Sequence, residues 1–211
     1  MNKRALILVD IQNDFLPGGA LAVPQGEAVI AVANRIQATF DLIVATQDNH
    51  PADHGSFAAN HHGRKPGEVI ELDGLEQILW PIHCVQSSPG WEFAGSLDRD
   101  RWNQVFAKGT DPRIDSYSGF FDNGHRKATG LGEFLTARGV KTVYILGLAT
   151  DYCIKYTALD ACGLGFATFV IEDGCRGVNL QPQDAEQALT QMEQAGVTRI
   201  NSDDVVCQQF G

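Results

Sequence analysis

Asp48, His50 and His54 fall within seven positions of one another in QDNHPADHGSF, Gln47 to Phe57, close behind the apolar run LIVAT. An acid and two imidazoles packed this tightly suit a divalent metal, and a further imidazole, His83 in LWPIHCV, follows in the same irregular stretch. Asp48, His50 and His83 would form a facial Asp/His/His site with open positions for water or substrate; His54 is either a fourth ligand or a neighbour that orients the others. The plain alternative is a polar loop whose histidines bond locally. His61 and His62 read as exposed loop residues.

A second group of reactive residues stands where apolar runs end. The first run closes as ILVD at Asp10, the second as VATQD at Asp48 and the third as VFAKG at Lys108; the fourth leads through GLATDYC into a helix with Cys153 in its opening turn. A thiol at a helix N-terminus faces unpaired N–H groups and the helix dipole, which lower its pKa from about 8.5 and make it a nucleophile. Asp10 can take the thiol proton and pass it to a leaving amine, while Lys108 holds the acid ionised and steadies negative charge. The intermediate would be a thioester cleared by water, with no catalytic histidine. The bland reading is an Asp10–Lys108 ion pair at a sheet edge and a core cysteine. Ile154, Ala158, Ala161 and Cys162 share one apolar stripe, so Cys162 reads as structural, and Cys84, Cys175 and Cys207 lack the context of Cys153.

The elements that must position these residues are short apolar runs alternating with helical patterns. The runs predict strands over Arg4–Val9, Leu42–Thr46, Gln104–Ala107, Thr142–Gly147 and Ala167–Ile171, with a weaker one at Thr198–Ile200. Most are continuous rather than alternating, as strands buried on both faces are. Val29, Val32, Ala33, Ile36 and Phe40 fall at helical spacing, and Pro182 to Ala195 reads as a helix opened by proline and closed by Gly196. The order predicts a doubly wound, three-layer α/β/α fold with a central, mainly parallel six-stranded sheet. Ligands of such sheets sit beyond the carboxyl ends of the strands, where Asp10, Asp48, Lys108 and Cys153 converge.

At 211 residues, 44% hydrophobic and 20% charged, the chain is expected to form one domain, 1–211, with a folded active-site excursion at about 48–101. A net charge of −10 and a pI near 4.9, with no basic cluster, speak against nucleic acid or an anionic membrane and for a small-molecule partner. The apolar part of MNKRALILVD stops at Asp10, short of the roughly 7–15 residues of a signal h-region. No run approaches the roughly 18 residues of a membrane helix. Five cysteines without paired spacing make a disulfide framework a poor expectation, and the cytoplasm the expected compartment.

DIQNDFLPGGAL, QDNHPADHGSF, WPIHCV, the Lys108–Gly109 pair and GLATDYC together closely resemble the nicotinamidases, or pyrazinamidases, of the isochorismatase-like cysteine hydrolase superfamily, over nearly the whole chain. The resemblance implies the isochorismatase-like hydrolase fold, for which a homodimer is plausible, and hydrolysis of nicotinamide or pyrazinamide to the acid and ammonia in NAD salvage. It implies catalysis by Asp10, Lys108 and Cys153, and a divalent metal, zinc first with iron or manganese tolerated, on Asp48, His50 and His83. It also implies a metal-bound water held by Ser56, a cis peptide before Ala149, an oxyanion hole from the N–H groups of Ala149 and Cys153, and an aromatic pocket including Phe15 and Trp80. Asn49 departs from the pattern, standing where many relatives carry an aromatic residue. Three rivals follow: a related amidase acting on carbamoyl or ureido groups, a metal-hydroxide hydrolase in which Cys153 is incidental, and a binding protein that has kept the fold.

Overall fold

The run ALILV lies in the middle of a six-stranded sheet and has neighbours on both sides, which is why it carries no polar alternation. The computed structural model describes residues 3–207. Its strands are β1 (Lys3–Val9), β2 (Ile43–Asp48), a hairpin of β3 (Val69–Leu72) and β4 (Leu75–Ile78), β5 (Gln104–Lys108), β6 (Val140–Leu148), β7 (Ala167–Arg176) and β8 (Thr198–Ile200). The main sheet is ordered β5-β2-β1-β6-β7-β8, and every pairing in it is parallel.

Helices supply the crossovers. After β1 the chain passes through α1 (Ala28–Gln37) to β2 on one side; after β6 it passes through α3 (Lys155–Gly163) to β7 on the other. Right-handed crossovers running in opposite directions put α1 and α3 on opposite faces. α2 (Leu131–Ala137) packs against β6, α4 (Asp184–Gln194) against α3, and α5 (Ser202–Cys207) with α1. The direction of winding reverses between β1 and β6, so a crevice opens where Asp10 and the Leu148–Cys153 turn leave the sheet.

The expected strands are present, with β6 and β7 longer than their apolar cores. The helix expected from Pro182 begins two residues later. Gln183 takes a left-handed conformation (φ 74°), and Asp184 Oδ2 accepts the Gln181 N–H at 2.8 Å. Gly196, at φ 97°, ends it as expected. The sequence reading had no counterpart for the hairpin inside the excursion. Its Asp73–Gly74 turn has both residues at positive φ, the geometry that joins two twisted strands most directly.

Candidate active site

Asp10, Asp48 and Lys108 end three adjacent strands, and Cys153 lies one turn beyond the end of β6, so all four meet at the crevice. The buried Lys108 ammonium is the centre of this group. It lies 2.8 Å from Asp10 Oδ2, donates to Asp48 Oδ1 at 2.5 Å and to Ser116 O at 2.9 Å, and stands 3.3 Å from Cys153 Sγ. Two carboxylates, a carbonyl and a thiol therefore surround one ammonium. Burial disfavours its charge, but Asp10 and Asp48 outweigh that and hold its pKa well above the usual lysine value.

The two acids differ in environment. Burial pushes Asp10 up to about 6 against the pull of Lys108, and Thr46 Oγ1 donates to its Oδ1 at 2.7 Å. Burial acts on Asp48 too, yet Lys108 and then His50 and His83 overcome it and hold that carboxyl well below the usual range. The Cys153 thiol corrects the expectation of a lowered pKa. It is buried in an irregular, wide turn, Thr150–Ile154, ahead of the regular helix, and burial with the charges of Asp10 and Asp48 raises it well above the usual value against Lys108. A thiol acting as nucleophile has to give up its proton as the sulfur attacks.

Asp48 joins this group to a second one. Its Oδ2 lies 3.7 Å from His50 Nε2 and 3.9 Å from His83 Nε2. His50 Nδ1 donates to Gly109 O at 2.9 Å and His83 Nδ1 to Pro81 O at 2.8 Å, so both rings carry hydrogen on Nδ1 and turn an Nε2 lone pair toward the carboxylate. Three buried donors lying within 4.8 Å of one another, with both imidazoles fixed in the ligating tautomer, fit a divalent cation. Burial lowers His83 to about 4, which favours the neutral form a metal needs; the neighbouring Asp48 overcomes burial at His50 and raises it.

His54 is not part of this triad, although it groups with His50 and Asp115 nearby. Its Nδ1 accepts the Ser56 N–H at 3.2 Å and lies 2.7 Å from Ser56 Oγ. A main-chain N–H cannot reverse its role, so Nδ1 holds the lone pair and Nε2 the hydrogen, which leaves Nε2 unable to ligate in the neutral ring. Gly109 completes the packing. Its φ is 62°, and a Cβ there would meet the His50 ring at 2.3 Å.

A cavity over Cys153 brings the sequence-predicted Phe15, Trp80 and Ala149 together with Asp48, His50 and His83. The peptide between Leu148 and Ala149 is cis. Sequence reasoning missed the other walls: Leu21, Asp115, Tyr117, Tyr152 and Val178. Trp80 Nε1 donates to the Tyr117 hydroxyl at 3.1 Å, and the Trp80 and Tyr152 rings meet edge to face. Asp151 accepts the N–H groups of Val178 and Asn179 at 2.9 and 2.7 Å, tying that wall to the Cys153 turn. Leu21 and Tyr152 lie inside the motifs DIQNDFLPGGAL and GLATDYC, but Tyr117 and Val178 give no local signal. Cys162, read as structural, is only half-buried and donates to Ala195 O at 3.0 Å, just beyond α4, while Ile154, Ala158 and Ala161 of the same stripe are fully buried.

An Isochorismatase domain matches residues 4–204. The chain belongs to the isochorismatase domain family. Among curated relatives it is 50% identical over 202 residues to the nicotinamidase of Escherichia coli strain K12, covering 94% of each chain. Among solved structures it resembles the nicotinamidase/pyrazinamidase of Acinetobacter baumanii, at 46% identity and a TM-score of 0.94 over 97% of this chain and 99% of that one. It also resembles the pyrazinamidase of Pyrococcus horikoshii in complex with zinc, at 38% identity and a TM-score of 0.76 over 94% and 99%. The family is one of hydrolases, and the six-stranded parallel sheet flanked by helices is its fold.

Proposed function

We infer that this protein is an amidohydrolase that converts nicotinamide, and pyrazinamide, to the acid and ammonia, returning nicotinate to NAD salvage. One observation carries the reading: a single buried lysine ammonium contacts both the acid and the thiol of a hydrolytic pair, and shares Asp48 with a histidine pair fit for a metal, with Cys153, Asp48 and both histidines lining one cavity. The chain works as one domain in which the excursion at 48–101 supplies His50, His83 and Trp80 to a sheet-borne nucleophile.

In the first half-reaction Cys153 Sγ bonds to the amide carbon as its proton passes to Asp10, and the Ala149 and Cys153 N–H groups receive the developing oxyanion. The C–N bond breaks, Asp10 returns the proton to the nitrogen, and ammonia leaves a thioester. Water then gives a proton to Asp10 while its oxygen bonds to the acyl carbon; the C–S bond breaks and the proton returns to sulfur. Lys108 steadies the anionic partners throughout. Asp48, His50 and His83 would hold one divalent metal, zinc first, and the bound ion supplies a Lewis-acidic position that orients the ring nitrogen of the substrate.

Phe15, Trp80 and Tyr152 wall the ring, and the cavity accepts flat aromatic amides. Ammonia release from nicotinamide, pyrazinamide and benzamide tests the reading. The first two place a nitrogen meta to the amide-bearing carbon and should turn over well; benzamide lacks that nitrogen and should lose about two orders of magnitude in kcat/KM. Equal rates on all three, or none on nicotinamide, would refute it.

A further inference from the structure

β1 and β2 run side by side as far as Val9 and Thr46, after which the Asp10 N–H reaches Thr46 O at 3.3 Å. There the first strand departs. Asp10 takes φ 49° and the main chain leaves the sheet, while β2 continues to Asp48 with β5 on its other side. In a parallel sheet alternate residues direct both N–H and C=O to the same neighbour. Asn49 N–H goes to Lys108 O on the β5 side, so the N–H and C=O of Asp48 face the place that β1 has vacated. Left alone, two buried peptide groups next to the site would lack partners, which folded chains avoid.

Gln12 fills that place with its side chain. Oε1 accepts the Asp48 N–H at 2.8 Å, and Nε2 donates to Asp48 O at 2.9 Å and to Trp91 O at 2.8 Å. The residue is fully buried. A primary amide presents the same donor and acceptor as a peptide group, so this side chain adds one rung to a ladder whose backbone has gone elsewhere. The Asp48 carboxylate has little angular freedom to lose: Oδ1 must meet Lys108 while Oδ2 faces both imidazoles.

We propose that Gln12 is a positioning residue for the metal centre, its amide standing in for the missing strand and fixing Asp48 between Lys108 and the histidine pair. The proposal rests on the reading of Asp48 as a metal ligand. Gln12→Met keeps the volume and removes both hydrogen bonds; Gln12→Glu keeps an acceptor for the Asp48 N–H and loses the donor. Gln37 is the control: another buried glutamine, bonded to Asp98 O and Trp102 Nε1 at 3.1 and 2.8 Å, far from the cavity.

Zinc affinity of the metal-stripped full chain, measured by chelator competition, should weaken about 10–100-fold in Gln12→Met and less in Gln12→Glu, the usual cost of losing an outer partner of a ligand. Gln37→Met should lower the melting temperature comparably and leave zinc affinity unchanged. Amide hydrogen exchange at Asp48 in the metal-free chain gives a second readout, and should quicken in both Gln12 variants. If Gln12→Met does not fold, Gln12→Glu carries the comparison. Wild-type zinc affinity in the Gln12 variants, alongside loss of zinc in Asp48→Asn, overturns the proposal and spares the metal site. Equal weakening in Gln37→Met overturns it as a general stability effect. Zinc binding that Asp48→Asn does not change overturns the metal reading itself.

Discussion

Asp10 and Lys108 stand on ends of sheet strands, whereas His54, Trp80 and His83 stand on a stretch whose only regular strands are a short hairpin, and both sets are buried to much the same degree. The first set is positioned by the ladder itself: neighbouring strands bring their last residues together whatever those residues are. The second is positioned by bonds made one at a time, from His50 Nδ1 to Gly109 O, His83 Nδ1 to Pro81 O, and the Cys84 N–H to Asp14 Oδ2 at 2.7 Å. Cys84 is itself held at φ 47°. Buried backbone outside a sheet has to find each partner separately, so a buried loop of this kind recruits glutamine, aspartate and left-handed residues from distant segments.

The sharpest way to break the sheet-borne half is Cys153→Ala. Turnover should fall by about three orders of magnitude or more, with zinc content and melting temperature retained. Ammonia release together with metal analysis checks it; substantial activity would move the chemistry to a metal-hydroxide scheme. Asp10→Asn keeps the shape but cannot accept a proton, so single-turnover acylation should slow by about 10²–10⁴-fold while nicotinamide still binds. A normal acylation rate would remove Asp10 as the base.

Gly109→Ala sharpens the comparison, because a residue following a sheet strand would damage the loop-borne half. Its Cβ would press on His50 and its backbone would be held in a disfavoured conformation. About 1–3 kcal/mol of stability should be lost, with zinc affinity falling and the rate of Cys153 alkylation in the metal-free chain unchanged. Calorimetry and thiol labelling separate the two halves.

The smallest effect should come from a pair belonging to neither. Arg199 forks onto Glu172 and Glu186 at a solvent-exposed edge, and Arg199→Ala should cost about 1 kcal/mol or less in urea denaturation. Its hydrogen bonds to Arg199 depress the Glu172 pKa in the folded chain. The stabilisation is therefore present above the unfolded carboxyl value and fades as the pH falls through the depressed one, so the difference between variant and wild type should shrink in acid.

The asymmetry also governs what the sequence disclosed. ILVD, VATQD and VFAKG announce both a strand and its terminal functional residue, since a run buried on two faces has to be apolar until it reaches the rim. His83 was legible as a donor type, but its meeting with His50 depends on backbone turns that no periodicity encodes. The missed hairpin is a different case: VIELDGLEQI carries an Asp-Gly turn between two short runs, a local signal that a reading tuned to buried parallel strands passes over. Gln12 and Asp151 were hidden for a third reason. Each lies inside a motif quoted for its neighbours but acts through bonds to backbone more than twenty-five positions away, which the motif does not disclose.

The place of β1 has a consequence for the making of the molecule. This strand leaves the ribosome before its partners in the sheet, yet one of its two neighbours is β6, which ends at Leu148. Until that length has been synthesised, one flank of the strand is a bare template for any extended segment that passes, and the acid that follows it lacks its thiol partner. A nascent chain that has released Lys108 but not yet β6 would therefore leave the flank of β1 that later pairs with β6 open to water.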